Sequence, residues 1–445
     1  MRFLFLFQFL FSSLYGVCVL AQTKPTPISI KTAVGMAIEK FPDAKAARAK
    51  LEEAESSRRA TVAKAFPTVS LVTSASEAKA ASNGFAVPFN GNPYSQYRMD
   101  LTVTQPLYAG GALSAGIKYS NKELEIRRLD LAMSDRDLTF NVIQSFYSVL
   151  LQQRQADLLK QVETVLKKAL TISERYFKIG RGQKADVLQI KSKLALLTPR
   201  IAQAENRIIQ AVSQLAVYLE LSENQKISLI GNLAPLSKEF INRKKSVQPG
   251  EVPEIKRADL LVEQFGYKSK VEMSKHWPTL NAVGGIGRNA FSNSELFNES
   301  AASWSFGLQL TVPLFTGLSF FSERRVYAAQ ESALVFTAQK TQTQARSTQV
   351  QSERDLDVAE QMLLGSQSAA KFSMAALKEA EREYRLQIGD YLRLISAEEN
   401  HVDSATAYNQ AKYDYILALA KFYNAMGIPL NELVEALEKN QNREE

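Results

Sequence analysis

One cysteine in 445 residues, Cys18, leaves the rest of the chain without disulfides or thiol chemistry, so packing, oligomerisation or a membrane must hold it together. Histidine is almost as scarce. His276 and His401 are the only two, 125 residues apart and outside any metal-ligand spacing, which points to ordinary positions on the surface or at a barrel rim and to no metal site. No short Lys/Arg-rich block stands out, and 54 basic against 46 acidic residues give a net charge of only +8, so no nucleic-acid partner is expected. After the N-terminus no stretch reaches ~18 apolar residues. Any later membrane crossing therefore has to be made by strands. The opening segment differs: Arg2, then the almost wholly apolar Phe3 to Leu20, then Ala21 read as a signal peptide, residues 1–21, cleaved before Gln22. Cys18 lies inside it, and bulky Val17 makes a poor lipidation box.

Glycine and proline are missing over long spans. From Ile117 to Ile179 there are 63 consecutive residues without either. Such a run supports a helix of roughly 95 Å, far beyond the ordinary globular length. Leu318 to Ile388 contains only Gly365, and Asp390 to Met426 adds 37 uninterrupted residues, so long helices dominate. Within the first run Leu158, Val162, Val165, Ala169, Ile172, Tyr176 and Ile179 recur at alternating spacings of four and three. Leu159, Leu166, Leu170 and Phe177 form a second seam one position round the helix. Two seams imply two neighbours, as in a helical bundle or in a ring of helices wet on both sides.

Strands are present too. Trp304, Phe306, Leu308, Leu310 and Val312 alternate with Ser305, Gly307, Gln309 and Thr311, and Tyr97, Met99, Leu101 and Val103 alternate with Arg98, Asp100, Thr102 and Thr104. Weaker alternation follows Pro67 and Pro278, which gives two hairpins with polar tips at Glu77 to Gln96 and Arg288 to Ser303. Strands of about nine residues can span an outer membrane, but a closed barrel needs about eight strands. Four from one chain require several chains in one barrel, unless the sheet simply lies on the helices.

Phe66-Pro67-Thr68-Val69 recurs as Trp277-Pro278-Thr279-Leu280, and Gln105-Pro106-Leu107-Tyr108-Ala109-Gly110 as Val312-Pro313-Leu314-Phe315-Thr316-Gly317, at offsets of 211 and 207. Each half reads helix, hairpin, proline-aromatic-glycine exit, long helix, reversal and returning helix. Taken in order with Ile28 to Ala33, Phe41-Pro42-Asp43, Tyr176 to Gly180, Asp186-Val187-Leu188, Val252-Pro253-Glu254-Ile255 and Asp390-Tyr391-Leu392, these segments resemble the TolC-type outer-membrane factors over nearly the whole mature chain.

The resemblance implies a mainly α fold with a membrane β-barrel portion. A homotrimer would build a long α-helical barrel continuous with a shared 12-stranded β-barrel, each chain carrying an internal two-fold repeat. The expected divisions are a first repeat at 22–221 (hairpin 67–105, helices 111–221), a linker at 222–253, a second repeat at 254–427 (hairpin 278–314, helices 318–427) and a tail at 428–445. Linker and tail would form an equatorial belt. The implied function is the exit channel of a tripartite efflux pump or type I secretion system in the outer membrane, reaching into the periplasm. Its partners would be a periplasmic adaptor, an inner-membrane transporter and outer-membrane lipid, and the alternative is a periplasmic adaptor or coiled-coil scaffold.

The family closes its periplasmic end where the helical reversals converge, which implies a gate among Asp390, Leu392, Arg393, Ser396 and Glu398, with Arg393 and Ser396 standing where an acid is common. It docks adaptors near the hairpin tips, here Ile179, Gly180, Arg181, Leu386 and Gln387, the last where a glycine is usual. No catalytic set, metal or cofactor is expected. Gly284-Gly285-Ile286-Gly287 lies in a strand pattern without the helix a nucleotide loop needs, so glycine there would relieve crowding inside a barrel.

Overall fold

The computed structural model describes residues 27–79, 93–221, 227–235, 252–386 and 388–441. The expected signal segment with Cys18, most of the linker, and Gln387 lie outside the described residues.

The chain begins with strand β1 (Pro27–Ile28) and helices α1 (Ile30–Lys40) and α2 (Pro42–Ala63). Strands β2 (Thr68–Lys79) and β3 (Pro93–Ala109) follow, then α3 (Ala112–Lys178) and α4 (Lys184–Leu219). After β4 (Ser228–Leu229) the pattern repeats as α5 (Pro253–Met273), β5 (Thr279–Ala290), β6 (Ala302–Thr311), α6 (Ser319–Arg385) and α7 (Tyr391–Ala425), and α8 (Leu430–Gln441) closes the chain. Pro42 and Pro253 open their helices, where the missing N–H has no partner to lose. The two long helices, α3 and α6, have 67 residues each, about 100 Å at 1.5 Å per residue. Gly116, Pro199 and Gly365 sit inside helices and stop none of them.

The four long strands form one antiparallel sheet in the order β2-β3-β5-β6. Paired residues share a face, so Leu71, Leu101, Ile286 and Trp304 line up across it, as do Val69, Val103, Gly284 and Phe306. The opposite face carries Ser70, Thr102, Gly285 and Ser305, and Asp100 beside Gly287. One face is apolar and bare, with Trp304 81% and Phe306 77% exposed; the other is small and polar. A β-carbon at Gly287 would collide with the Asp100 carboxylate, which explains a glycine on the crowded polar face. Among the described residues β2 and β6 are free edges. Strands run longer than the expected nine residues: β3 continues through Pro106 to Ala109 because a register shift between Pro106 and Tyr108 absorbs the proline, whereas β6 stops at Thr311. The second hairpin tip is folded, with Ala290, Leu296 and Ala301 packed together and Arg288 Nη1 donating to the Asn298 carbonyl at 2.9 Å.

Each exit from strand to long helix uses two left-handed residues, Gly110 (φ +59°) and Gly111 (φ +85°) in the first half, Gly317 (φ +66°) and Leu318 (φ +61°) in the second. Glycine is required at 110, since a β-carbon there would lie 2.6 Å from the Ser274 carbonyl oxygen.

The main core lies at mid-height, where α1, the middle of α3 and the ends of α4 and α7 meet α8 around Phe146, Tyr147, Leu215, Tyr423 and Leu433. Glu438 of α8 accepts from the Ser29 hydroxyl and the Lys31 N–H, both at 3.0 Å. β1 pairs in parallel with β4, joining the two segments that flank this core. The seam on α3 differs from both sets read from spacing. Leu158, Val162, Leu166, Ala169 and Ser173 are buried, while Phe177 is 45% and Ile179 58% exposed. A straight helix turns every 3.6 residues, so its contact line drifts across a 3.5-residue repeat, taking members of both sets and then Ser173, which belongs to neither.

Candidate functional site

Both helical hairpins end at the same place. α3 turns through Ile179, Gly180 (φ +77°), Arg181 and Gly182 into α4. The Arg181 and Gly182 amides both donate to the Tyr176 carbonyl, at 2.9 and 3.1 Å. In the second turn the Ile388 and Gly389 amides do the same to Glu383, at 3.1 and 3.3 Å. All four residues correspond at an offset of 207, so one turn design is used twice.

The tips touch. Tyr176 donates its hydroxyl to the Arg385 carbonyl at 3.0 Å, and Lys193 of α4 pairs with Glu399 of α7 at 2.6 Å. Behind them Val162, Leu166, Ile190, Leu197, Leu377, Tyr384, Tyr391, Leu394 and Ile395 form a second apolar cluster that joins all four helices. A cavity of about 310 Å³ opens between the turns, lined by Tyr176, Arg181, Asp186, Tyr384, Asp390 and Leu392 among others.

The residues singled out as a gate divide in two. Asp390 caps α7 by accepting from the Arg393 N–H at 2.9 Å, and the Arg393 guanidinium reaches back to Glu383 at 2.8 Å. Leu392 is 67% exposed, and Ser396 is exposed as well. Glu398 instead points inward, 6% exposed, and burial pushes its carboxyl up against the opposing pull of Lys193. The protomer therefore brings Asp390 and Leu392 to the tip cavity and turns Glu398 away from it. Of the residues singled out for docking, Ile179, Gly180, Arg181 and Leu386 are exposed at the two turns, and Gln387 is outside the described residues.

His401 corrects the sequence reading. It is 6% exposed, its Nδ1 lies 3.4 Å from the Ser373 hydroxyl, and burial holds its imidazole below the ordinary value. Its position on the inner face of α7 cannot be told from composition. His276 lies between the last turn before β5 and the start of α6, its side chain 7% exposed and its Nε2 3.1 Å from Glu323, so it too is more enclosed than a surface position.

Asp186, Tyr384 and Tyr391 complete the site and were visible beforehand at most as members of motifs. Burial first, and then the neighbouring charge of Asp390, raises the Asp186 carboxyl above its usual range. Burial likewise pushes Tyr391 up to about 12, and its hydroxyl has no hydrogen-bond partner among the described residues. The 207 offset was the available signal: it sets Asp186 opposite Arg393, so the two hairpins carry opposite charges at equivalent positions.

The outer membrane efflux protein family matches residues 33–219 and 250–428. The chain belongs to that family. It is 22% identical over 345 residues to the alkaline protease secretion protein AprF of Pseudomonas aeruginosa, covering 75% of this chain and 70% of the relative. To the proteases secretion protein PrtF of Dickeya chrysanthemi it is 26% identical over 354 residues, covering 73% and 71%. Its fold is that of the outer membrane protein VceC of Vibrio cholerae, with a TM-score of 0.78 at 16% identity over 89% of this chain and 96% of that one. The CmeC outer membrane channel of Campylobacter jejuni gives 0.75 at 16% identity over 92% and 89%. The protein is an outer-membrane export channel extending into the periplasm, and the adaptor alternative falls away. Its family is one of channels rather than enzymes.

Proposed function

We propose that three copies share one barrel of twelve strands and one long helical barrel, forming a passive conduit across the periplasm and outer membrane that is gated at the helical tips. The observation that carries this reading is the four-stranded sheet, which has one mainly apolar face, one mainly small and polar face and, among the described residues, two unpaired edges. The apolar face suits lipid, the polar face suits a water-filled lumen, and the edges demand further strands. Among the described residues no helix is long and apolar enough to cross a membrane, so spanning falls to these strands.

Gating belongs where the two hairpins converge. Threefold symmetry would gather three copies of Asp390 and Leu392 around the axis, an acidic ring with an apolar constriction. Exposed Ile179, Gly180, Arg181 and Leu386 then offer the surface for a periplasmic adaptor, and an inner-membrane transporter supplies the energy. The described parts of the expected belt, 227–235 and 428–441, pack on the main core at mid-height. Between efflux and secretion, relatives named for protease secretion favour a type I system exporting a protein.

The test is oligomer mass and planar-bilayer conductance of the detergent-purified protein. Trimers with a small, gated conductance are expected. Monomers without bilayer activity would overturn the shared barrel.

A further inference from the structure

The internal repeat specifies the contact between copies as well as the fold of one. Inside each hairpin the offsets hold residue by residue: Thr68 pairs with Thr104 in the first, and Thr279 with Thr311 in the second, displaced by 211 and 207. The long helices obey the same rule, since α3 spans Ala112–Lys178 and α6 spans Ser319–Arg385. One junction between halves is made within the chain, where β3 pairs with β5 and Thr104 lies opposite Val283. The corresponding junction, between β6 and a β2 strand, is unmade.

We infer that a second copy of this chain occupies that edge in the register of the internal junction, so that Thr311 of one copy lies opposite Val72 of the next, with Leu310 opposite Thr73 and Gln309 opposite Ser74. The inference rests on the shared-barrel reading and goes beyond it by naming which residues meet. Facing supports it. Thr311 and Val72 both lie on the small polar face, and Leu310 and Thr73 both on the apolar one, so the register keeps the two faces continuous around the barrel.

The collar below the sheet carries the same message independently. Within the chain the Gly110 turn is closed over: a β-carbon there would lie 2.9 Å from the Trp277 β-carbon and 2.6 Å from the Ser274 carbonyl. Its twin, Gly317, has the same left-handed backbone, yet nothing lies within 4 Å of the equivalent point. Around it Leu314 is 92% and Phe315 80% exposed, against 54% and 48% for their twins Leu107 and Tyr108. The twin of Trp277 is Phe66, itself 62% exposed at the far edge of the protomer. Phe66 of the next copy is the group that fills the space beside Gly317. In the helical tier α3 packs on α5, whose twin is α2, while α6 leaves Phe336 67% and Phe372 71% exposed.

Cysteine pairs test the register in the full chain with Cys18→Ala. Thr104→Cys with Val283→Cys is the control, forming a bond within one chain. Thr311→Cys with Val72→Cys should form a bond between chains on oxidation, in comparable yield. Thr311→Cys with Ser70→Cys or with Ser74→Cys, slipped by two residues either way, should give several-fold less. Phe66→Cys with Gly317→Cys probes the collar without touching the strands and should also link chains. If a slipped strand pair dominates, the register is wrong and the shared barrel stands. If no pair links chains while the control forms, the inference and the shared barrel both fail.

Discussion

Leu392 and Leu394 lie two residues apart on α7 and face opposite ways, which lets one pair of substitutions separate gating from packing. Leu394 is 2% exposed and belongs to the cluster that ties the hairpins together, beside Ile190 and Tyr391. Leu394→Ala removes buried methyl groups from a packed site and leaves a cavity, so it should destabilise the tip by about 3 kcal/mol. Leu392 is 67% exposed in the protomer, and Leu392→Ala should change protomer stability by no more than ~0.5 kcal/mol. If three copies of Leu392 form the constriction, this second variant should nevertheless raise single-channel conductance. Denaturant unfolding followed by circular dichroism, with bilayer recordings of the same preparations, measures both. A stability loss in Leu392→Ala equal to that of Leu394→Ala would refute the reasoning from burial, and an unchanged conductance would remove Leu392 from the gate.

Further outcomes follow from the same geometry. Phe306→Arg on the apolar face should cost about 2–4 kcal/mol if it meets the middle of the membrane, whereas Ser305→Arg should leave assembly intact and shift ion selectivity; heat-resistant oligomer yield and reversal potentials distinguish them. Burial favours neutral His401 in the fold, so the stability it lends is whole above the ordinary value of 6.5 and is lost as pH falls through the lowered one. Unfolding midpoints at about pH 8 and about pH 5 should therefore differ less in His401→Gln than in the parent, and equal differences would contradict the assignment. Gly110→Ala places a β-carbon against the Ser274 carbonyl in a left-handed turn, and should destabilise by about 1–3 kcal/mol in a thermal melt. Arg136 pairs with Glu254 at 2.6 Å and with Asp137 at 2.9 Å, joining the middle of α3 to the start of α5. Arg136→Ala should cost roughly 2–3 kcal/mol, less than a fully buried pair because Glu254 is partly exposed, and Arg136→Lys should recover only part of it.

Much of this architecture was legible before any coordinates. A period of two in Trp304 to Val312 and in Tyr97 to Thr104 has one physical solution, a sheet with two unlike faces, and the sheet has those faces. Runs with no proline and almost no glycine became helices of 67 residues, and the single glycines they carry, Gly116 and Gly365, do not break the hydrogen-bond ladder. Other features depended on what a helix meets. The seam was read as a fixed repeat, but a straight helix shifts its contact line from Val162 through Leu166 to Ser173. Glu398 and His401 share polar composition with their exposed neighbours on α7. Only the packing of other helices against that face buries them, with Ser373 of α6 opposite His401 and Lys193 and Arg200 of α4 near Glu398. Asp186 escaped notice as a site residue because its significance lies in its distance from Asp390, more than 200 positions along the chain.

The two hairpins are alike in backbone and unlike in charge, and that difference bears on the gate. The Tyr176 and Glu383 carbonyls receive the same pair of turn bonds, so duplication preserved the shape of the tip. At equivalent positions the first hairpin has Gln183 and Asp186, and the second has Asp390 and Arg393. A ring of three protomers would thus alternate two kinds of tip, with acid and base in turn at the same height. Strictly equivalent tips would set like charges side by side all round the ring, and repulsion would hold it open. Alternation lets neighbouring tips attract while Asp186 and Asp390 still oppose each other within one protomer, a repulsion that adds to burial in raising the Asp186 carboxyl. In the proposed ring, attraction between unlike tips would favour closure, the like-charge pair of Asp186 and Asp390 would weaken it, and an adaptor docking on exposed Arg181 or Leu386 would act on the same few residues.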